Sequence, residues 1–500
     1  MTSGIAARIR AVLEIDPAAP AIEFDGRWYS WGDVARAADD VDAALDALGS
    51  GAGAPVGLLL ANQPAAVGLL LGVLRADACA VTLNPHLGVE RVARDLDELD
   101  VTLLAGTAAD VQQIGAANAP RAALSLPDLG AAGVLTRPAG APRERATGGH
   151  RLDGVAVRML TSGTTGPPKR VDLSYATLEQ VMVGAKHYEA NARADLALRE
   201  GVVIVNAPLV HLSGVFRVLQ AVLDGRRIAL LERFTVDGWA DAVRRHRPKT
   251  VSLVPTALRM VLDADVEDDL LDGVRSVVSG TAPLDPDVAE AFTARFGVPV
   301  LTSYAATEFG GGVAGWNLAD YREFGRSKRG SVGRPHPGCE LRVVDPETFA
   351  PLSSGRDVGL LEVRAAQLLD DGWVRTTDLA RIDEDGFVWI VGRADQTILR
   401  GGFKVQPDVV SNAFERHPDV RGAAVVGVDD ERLGQVPVAV VDLRDGSHAN
   451  GDELLAHVRP MLAPYEVPAR VVIVDELPRT ASAKVDLVAA CALARDEALT

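Results

Sequence analysis

The chain has 500 residues, with 51 Lys or Arg against 68 Asp or Glu, a formal charge of −17, 48% hydrophobic residues and 24% charged ones. That length holds roughly two to four domains, and the composition excludes disordered and fibrous classes. The acidic balance excludes nucleic-acid binding through a broad basic surface, so any polyanionic ligand must be held by local devices.

From the N-terminus, Ile5, Ile9, Val12 and Leu13 recur at helical spacing among Arg8, Arg10 and Glu14, which lacks the apolar core of a signal peptide. Apolar runs Val56 to Leu60 and Ala80 to Leu83 alternate with amphipathic stretches Trp31 to Leu48 and Pro64 to Leu74, a β/α pattern. The most apolar stretch, Val67 to Leu74, ends at Arg75, far short of the ~20 residues that span a bilayer, so no membrane span is expected. Between Ala105 and Gly149 the chain turns rich in Ala, Gly and Pro, which predicts an irregular surface excursion. From Gly201 to Tyr304 the β/α alternation resumes, with strands at Val202 to Val205, Ile228 to Leu231, Thr250 to Val254, Val274 to Val278 and Val298 to Leu301, and a helix from Pro286 to Phe296. One parallel, helix-covered sheet is the expected product. After Arg334 the runs Glu340 to Val344 and Gly359 to Arg364 read as strands, and Leu379 to Ile382 joins Phe387 to Val391 through the turn Asp383-Glu384-Asp385-Gly386. About 100 residues remain beyond Gly392 to Gly402, enough for a separate domain, with the boundary near Asp395. The three cysteines, Cys79, Cys339 and Cys491, have neither disulfide nor zinc spacing, in keeping with a cytoplasmic protein.

The strongest chemical signal is Thr161-Ser162-Gly163-Thr164-Thr165-Gly166-Pro167-Pro168-Lys169, entered from the apolar run Val155 to Leu160. Glycines admit phosphate oxygens to backbone N–H groups, hydroxyls add donors, and a lysine adds a compact positive charge. It is a phosphate cradle but not a Walker A loop, because Lys169 is followed by Arg170 and Val171. The stretch resembles the signature loop of the adenylate-forming, AMP-binding superfamily, in its acyl- and aryl-CoA synthetase branch. Further motifs follow in that family's order.

Tyr304-Ala305-Ala306-Thr307-Glu308 resembles the family's Tyr-Gly-x-Thr-Glu, with Ala305 in place of glycine. The resemblance implies that Thr307 contacts the α-phosphate and that Glu308, with Thr164, holds Mg²⁺. Ser279-Gly280-Thr281-Ala282 resembles the segment along the adenine. Trp373 to Asp378 resembles a motif whose aspartate accepts from the ribose hydroxyls, here Asp378, with Thr377 where glycine is usual. Gly392-Arg393-Ala394-Asp395 matches the segment in which Arg393 contacts ribose and phosphates and Asp395 is the hinge. Gly401-Gly402-Phe403-Lys404-Val405 resembles the run that lines the pantetheine channel of CoA. Leu477 to Lys484 resembles the C-terminal motif of the catalytic lysine, with Ala483 replacing a glycine. A cation there stabilises the charge that builds as a carboxylate attacks phosphorus.

Pro208-Leu209-Val210-His211-Leu212-Ser213-Gly214 resembles the segment whose ring gates the acyl site, which places His211 beside Lys484 and Glu308 among the catalytic residues. The acyl wall implied by the resemblance is His211, Val215, Phe216, Gly280, Ser303, Ala305, Gly310 and Gly311. Leu209, Val210 and Leu212 offer no carboxylate for an α-ammonium group, so the acid has none. The run Gly310-Gly311-Gly312 removes side-chain volume and predicts a bulky hydrophobic acid, a medium-to-long chain or a polycycle.

The expected fold is therefore α/β. A large N-terminal AMP-binding domain, 1–394, has layered β/α sheets and a β-rich subdomain at about 335–394; a small, mobile α+β domain, 395–500, carries Lys484. The resemblance implies ATP, CoA and a small carboxylic acid as substrates and Mg²⁺ as cofactor. A homodimer is compatible with the sequence. Two other readings stand beside this one: acyl transfer to a carrier protein or amine, and a nucleotide-binding regulatory protein without catalysis, the latter motivated by Ala305, Thr377 and Ala483.

Overall fold

The computed structural model describes residues 2–115, 122–137, 151–161, 169–185, 195–353, 355, 357–368, 372–480 and 484–496. The chain is α/β throughout and forms two units, the first from Met1–Thr161, Arg170–Glu340 and Arg364–Gly372, the second from Leu341–Val363 and Trp373–Thr500.

The first unit is built on three sheets. The largest has seven strands in the order Val134–Thr136, Ala123–Leu126, Leu103–Thr107, Pro55–Leu59, Cys79–Leu83, Val155–Thr161 and Lys169–Ser174. Its three central strands, 55–59, 79–83 and 103–107, are buried at every residue, so they read as unbroken apolar runs rather than alternation. Helix Pro64–Arg75 is likewise buried on all sides. Its one charge, Arg75, is neutralised by Asp39 at 2.7 Å and Asp42 at 2.6 Å on helix Trp31–Ala47. That second helix starts at a capping box in which Ser30 and Asp33 bond each other's backbone N–H.

Two expectations are corrected here. The stretch from Ala105 is not an irregular excursion where it is described, because Ala123–Leu126 and Val134–Thr136 add two strands to the sheet. In Ala123–Leu126 alanine and leucine carry little β preference of their own and burial decides instead, whereas Val134–Thr136 is a mostly exposed edge strand with β-branched valine and threonine. The second half of the unit is not one parallel sheet but two. Strands Arg199–Val205 and Arg226–Leu230 join the N-terminal hairpin Pro20–Phe24 and Arg27–Ser30, with Ile22 opposite Ile228. Strands Thr250–Ser252, Ser276–Ser279 and Val300–Ala306 run parallel in a separate sheet that continues antiparallel through Gly311–Gly315 and Arg334–Pro335. A strand some 200 residues upstream takes the free edge of Arg226–Leu230, a pairing no local pattern announces.

The second unit contains a meander of Cys339–Val344, Gly359–Ala365, Val374–Ile382 and Val388–Arg393, whose last turn closes as its sequence predicts. Asp383 Oδ1 accepts from the N–H groups of Asp385 and Phe387, and Gly386 adopts φ 81°. A further sheet orders Phe403–Val405, Ile398–Arg400, Gly434–Leu443 and Val420–Asp430, with Arg470–Val474 parallel to Gly434–Leu443. Helices Pro407–Glu415, Gly451–Val458 and Leu487–Arg495 cover it. Cys79, Cys339 and Cys491 form no disulfide, and no helix among the described residues is long and apolar enough to cross a membrane.

Candidate active site

Ser162, Gly163, Thr164, Thr165 and Gly166 lie outside the described residues, as do 481–483; Thr161 closes one strand and Lys169 opens the next, adjacent in the seven-stranded sheet. The remaining candidates fall into one group per unit.

In the first unit, the parallel strands Ser276–Ser279 and Val300–Ala306 run in the same direction; the first ends where Ser279 pairs with Thr302, and the second continues to Ala306 against Gly311–Gly315. Open α/β sheets bind ligands at the carboxyl ends of their strands. Gly280, Thr281 and Ala282 leave one strand there and Thr307 and Glu308 leave the other. The first segment lies against the second strand: a Cβ on Gly280 would stand 2.7 Å from Ser303 Oγ. Thr281 is exposed and held at φ 73°, a left-handed conformation that costs a non-glycine residue on the order of 1–3 kcal/mol. Thr307 opens a single turn closed by Gly310, whose N–H donates to the Thr307 carbonyl at 2.9 Å. Glu308 and Ala305 are exposed, while Ser303, Tyr304 and Thr307 are half-buried.

The glycine run does not open the room expected of it. A Cβ on Gly310 would stand 2.5 Å from Thr177 Cγ2, and one on Gly311 2.9 Å from Val181 Cγ1, both on helix Tyr175–Ala185. On Gly312 it would meet His336 Cε1 at 3.0 Å. These glycines let a helix and an imidazole close on the strand, and protein fills the space.

His211 is the N-cap of helix Leu212–Leu223, and its carbonyl accepts from Gly214 and Val215. Gly214 is needed because any Cβ there would overlap the Pro208 carbonyl. Val215 is fully buried in the core and Phe216 is half-buried. A residue missed by sequence reasoning fixes this loop. Asn62, 6% exposed, donates through Nδ2 to the carbonyls of Ala207 (3.0 Å) and Leu231 (3.1 Å), and its Oδ1 accepts from Leu209 N–H at 2.8 Å.

In the second unit, the hairpin register sets Asp378 opposite Arg393, with Nε 4.0 Å from Oδ1. Arg393 forms a fork with Asp395, Nε to Oδ1 at 3.0 Å and Nη2 to Oδ2 at 2.8 Å. Thr377, the departure from the usual glycine, accepts a third bond from Arg393 Nη2 at 2.8 Å. Asp378, Arg393 and Asp395 are thus brought together. Asp408, on the first turn of helix Pro407–Glu415, joins them electrostatically: burial pushes its carboxyl up, Arg393 opposes the shift and Asp378 reinforces it. An acidic residue after a proline reads in sequence only as a helix start.

Gly401 (φ 56°) and Gly402 (φ 86°) make the two-residue turn between Ile398–Arg400 and Phe403–Val405, a shape that requires positive φ. Lys404 and Phe403 are exposed; the Phe403 ring stacks on Tyr465 at 4.7 Å, and Arg400 Nη1 holds the carbonyls of Tyr465 and Val467 at 3.0 and 2.8 Å. Lys484 is exposed in a loop tied at its neck. Its carbonyl accepts from Thr480 N–H at 2.7 Å, Arg479 bridges to Val485, and Leu477 N–H at the base donates to buried Asp442 Oδ2 at 3.2 Å.

Comparison with known proteins bears on both groups. The family model described as AMP-binding enzyme matches residues 9–370, and that described as AMP-binding enzyme C-terminal domain matches 410–484. A feruloyl-CoA synthase from Amycolatopsis sp is 32% identical over 491 residues, covering 94% of this chain and 95% of its own. A 2-succinylbenzoate–CoA ligase from Geobacillus kaustophilus is 33% identical over 345 residues, 67% of this chain and 68% of its own. Among solved structures, ATP-bound MatB from Rhodopseudomonas palustris superposes with a TM-score of 0.82 at 27% identity, covering 99% of each chain.

Proposed function

Because the chain belongs to the AMP-binding enzyme family and its relatives are named CoA ligases, we propose that it activates a carboxylic acid with ATP as an acyl-AMP and then transfers the acyl group to the thiol of CoA. The observation that carries this reading is the pairing of Asp378 with Arg393 on one hairpin, an acceptor suited to a vicinal diol beside a cation suited to phosphate.

In the first half-reaction a carboxylate oxygen attacks the α-phosphorus and the bond to pyrophosphate breaks. The loop 161–169 receives the phosphates, Asp378 accepts from the ribose hydroxyls, and Arg393 exchanges part of its fork with Asp395 for phosphate oxygens. Thr307 lies at the α-phosphate. Lys484 supplies the cation that the crowded, anionic phosphorus requires, a role for a flexible point charge rather than a planar fork. For Mg²⁺, Glu308 is an exposed carboxylate, and no cluster of three ligating side chains exists among the described residues. That donor set fits a cation held by one carboxylate, with Thr164, and by nucleotide phosphates, whose charge it would neutralise. In the second half-reaction the C-terminal segment turns about Asp395, Lys484 withdraws, and the strand 401–405 guides the thiol sulfur to the acyl carbonyl as AMP departs.

The acid is proposed to lack an α-amino group, since Leu209 is fully buried and Val210 and Leu212 pack against the same core. With Gly310 and Gly311 closed against Thr177 and Val181, an aryl or arylalkyl acid suits the site better than a polycycle or long chain. The relatives named for feruloyl-CoA and 2-succinylbenzoate agree. The test is pyrophosphate and AMP release over a panel of carboxylic acids with and without CoA. Acid-dependent pyrophosphate release followed by CoA-dependent thioester formation is the expected result. ATP binding with no acid-dependent release would overturn the adenylation, and transfer to a carrier protein but not to CoA would overturn the acceptor.

A further inference from the structure

One face of the sheet built on Gly434–Leu443 is covered by helix Leu487–Arg495, and along that face the strand presents Val438, Val440 and then Asp442. Side chains two apart on a strand share a face, so Asp442 stands where the alternation calls for another apolar residue. It is 1% exposed, opposite Gly422 on one neighbouring strand and Val474 on the other. Its Oδ2 accepts from Leu477 N–H at 3.2 Å, and Oδ1 is buried with no hydrogen-bond partner. Gly422 makes the room: a Cβ there would stand 3.1 Å from Asp442 Oδ1 and 3.1 Å from Leu477 Cδ1. A buried carboxyl with a single bond is a costly occupant of an apolar row, and the bond it does make points to its use.

That bond ends at the root of the loop that carries Lys484. Strand Arg470–Val474 finishes beside Asp442, Asp475 and Glu476 are exposed, and Leu477 returns to the core at 2% exposure. From there the two arms of the loop are laced together. Asp486 N–H donates to the Pro478 carbonyl at 2.8 Å, Arg479 bridges to Val485, and Thr480 N–H donates to the Lys484 carbonyl at 2.7 Å. The far arm is anchored by its helix, whose first turn Asp486 caps by accepting from Val488 and Ala489 N–H, both at 3.0 Å, and whose Ala490 and Ala494 are buried against the sheet. The near arm is anchored by Leu477, through its burial and its bond to Asp442.

We propose that Asp442 is a positioning residue for adenylation. It fixes the near arm through Leu477 and thereby sets where the Lys484 ammonium group is delivered, while taking no part in the chemistry itself. This rests on the role given to Lys484 above and adds a residue to that same step. A transition-state cation works only within a narrow range of positions, and a misplacement of about 1 Å can cost on the order of 100-fold in rate. Slack in either arm passes along the flexible lysine stem to the ammonium group. Thiol transfer, from which Lys484 withdraws, makes no such demand on the loop.

The experiment measures both half-reactions, with the panel acid that gives the most pyrophosphate release, in the wild type, Asp442→Ala, Asp442→Asn, Lys484→Ala and the double variant Asp442→Ala/Lys484→Ala. Asp442→Ala should lower kcat for adenylation about tenfold, the scale of one lost hydrogen bond, with KM for ATP and for the acid unmoved. Thioester formation from supplied acyl-AMP and CoA should stay at the wild-type rate. Asp442→Asn keeps an oxygen for Leu477 N–H and should recover most of kcat. In the Lys484→Ala background Asp442→Ala should cost nothing further, because it acts through the lysine it positions. A wild-type kcat in Asp442→Ala, or a further loss of the same size on top of Lys484→Ala, overturns the inference and leaves adenylation by Lys484 standing. Lys484→Ala that adenylates at the wild-type rate overturns the reading beneath it. Equal loss in both half-reactions, with a lowered melting temperature, assigns Asp442 a structural role and also overturns the inference. Should Asp442→Ala fail to fold, Asp442→Val continues the valine row without supplying an acceptor and carries the same test with the same outcomes.

Discussion

Asn62→Ala tests how the acyl loop is held. The side chain is almost fully buried and makes three bonds, two donated to Ala207 and Leu231 and one accepted from Leu209. Alanine leaves two carbonyls and one N–H without their partner. At about 1 kcal/mol per net hydrogen bond the loss is ~3 kcal/mol. For a cooperative unit of about 340 residues, at about 2.1 cal/mol/K per residue, that lowers the melting temperature by roughly 4 °C. The same bonds fix the segment from Ala207 to Leu209 that delivers His211 to the start of its helix, so the variant should lose about tenfold in kcat/KM for the acid, equivalent to ~1.4 kcal/mol. The KM for ATP should not move. Asn62→Asp keeps the acceptor for Leu209 but turns a carboxylate toward two carbonyls, and should be at least as unstable. Scanning fluorimetry and steady-state pyrophosphate assays measure both effects. An Asn62→Ala protein with wild-type melting and wild-type acid kinetics would refute the reasoning.

Glu362 is 3% exposed between Arg342 Nη2 and Arg375 Nη2, each 2.7 Å away. Burial alone would raise its carboxyl, but the bonds to Arg342 and Arg375 outweigh burial and hold it below its ordinary 4.5. A depressed carboxylate contributes its full stabilisation above the unfolded value and loses it as pH falls through the folded value. The melting temperature of the wild type should therefore drop on acidification below about pH 4.5, and Glu362→Gln should be less stable at pH 7 with a flatter acid limb; parallel acid limbs would contradict this. Gly310→Ala combines a left-handed φ of 71° with a Cβ 2.5 Å from Thr177 Cγ2, and should cost about 1–3 kcal/mol in urea titration. Thr177→Ser in the same chain should recover part of that loss, and no recovery would show that the helix does not fill the space.

What could be read from sequence follows from how local each signal is. The turn Asp383 to Gly386 sets the hairpin register as far as Ala380 opposite Ile390, but a bulge between Leu379 and Ala380 shifts it by one and brings Asp378 opposite Arg393, which the turn sequence does not announce. Nor is the pairing of Ile22 with Ile228 legible, because it joins segments some 200 residues apart. Gly310 and Gly311 announce that a Cβ is not tolerated without saying what occupies its place, and Thr177 and Val181 supply the answer. Asn62 reads as a turn residue after a strand; only the fold shows its three bonds reaching Ala207, Leu209 and Leu231.

The central claim, that one chain performs adenylation with Lys484 and thioester formation without it, is tested most directly by Lys484→Ala in two separate assays. Acid-dependent exchange of labelled pyrophosphate into ATP should fall by at least about 100-fold, the scale on which one transition-state charge contact acts. Thioester formation from supplied acyl-AMP and CoA should proceed at close to the wild-type rate. Equal loss in both assays, or adenylation that survives the substitution, would contradict the account.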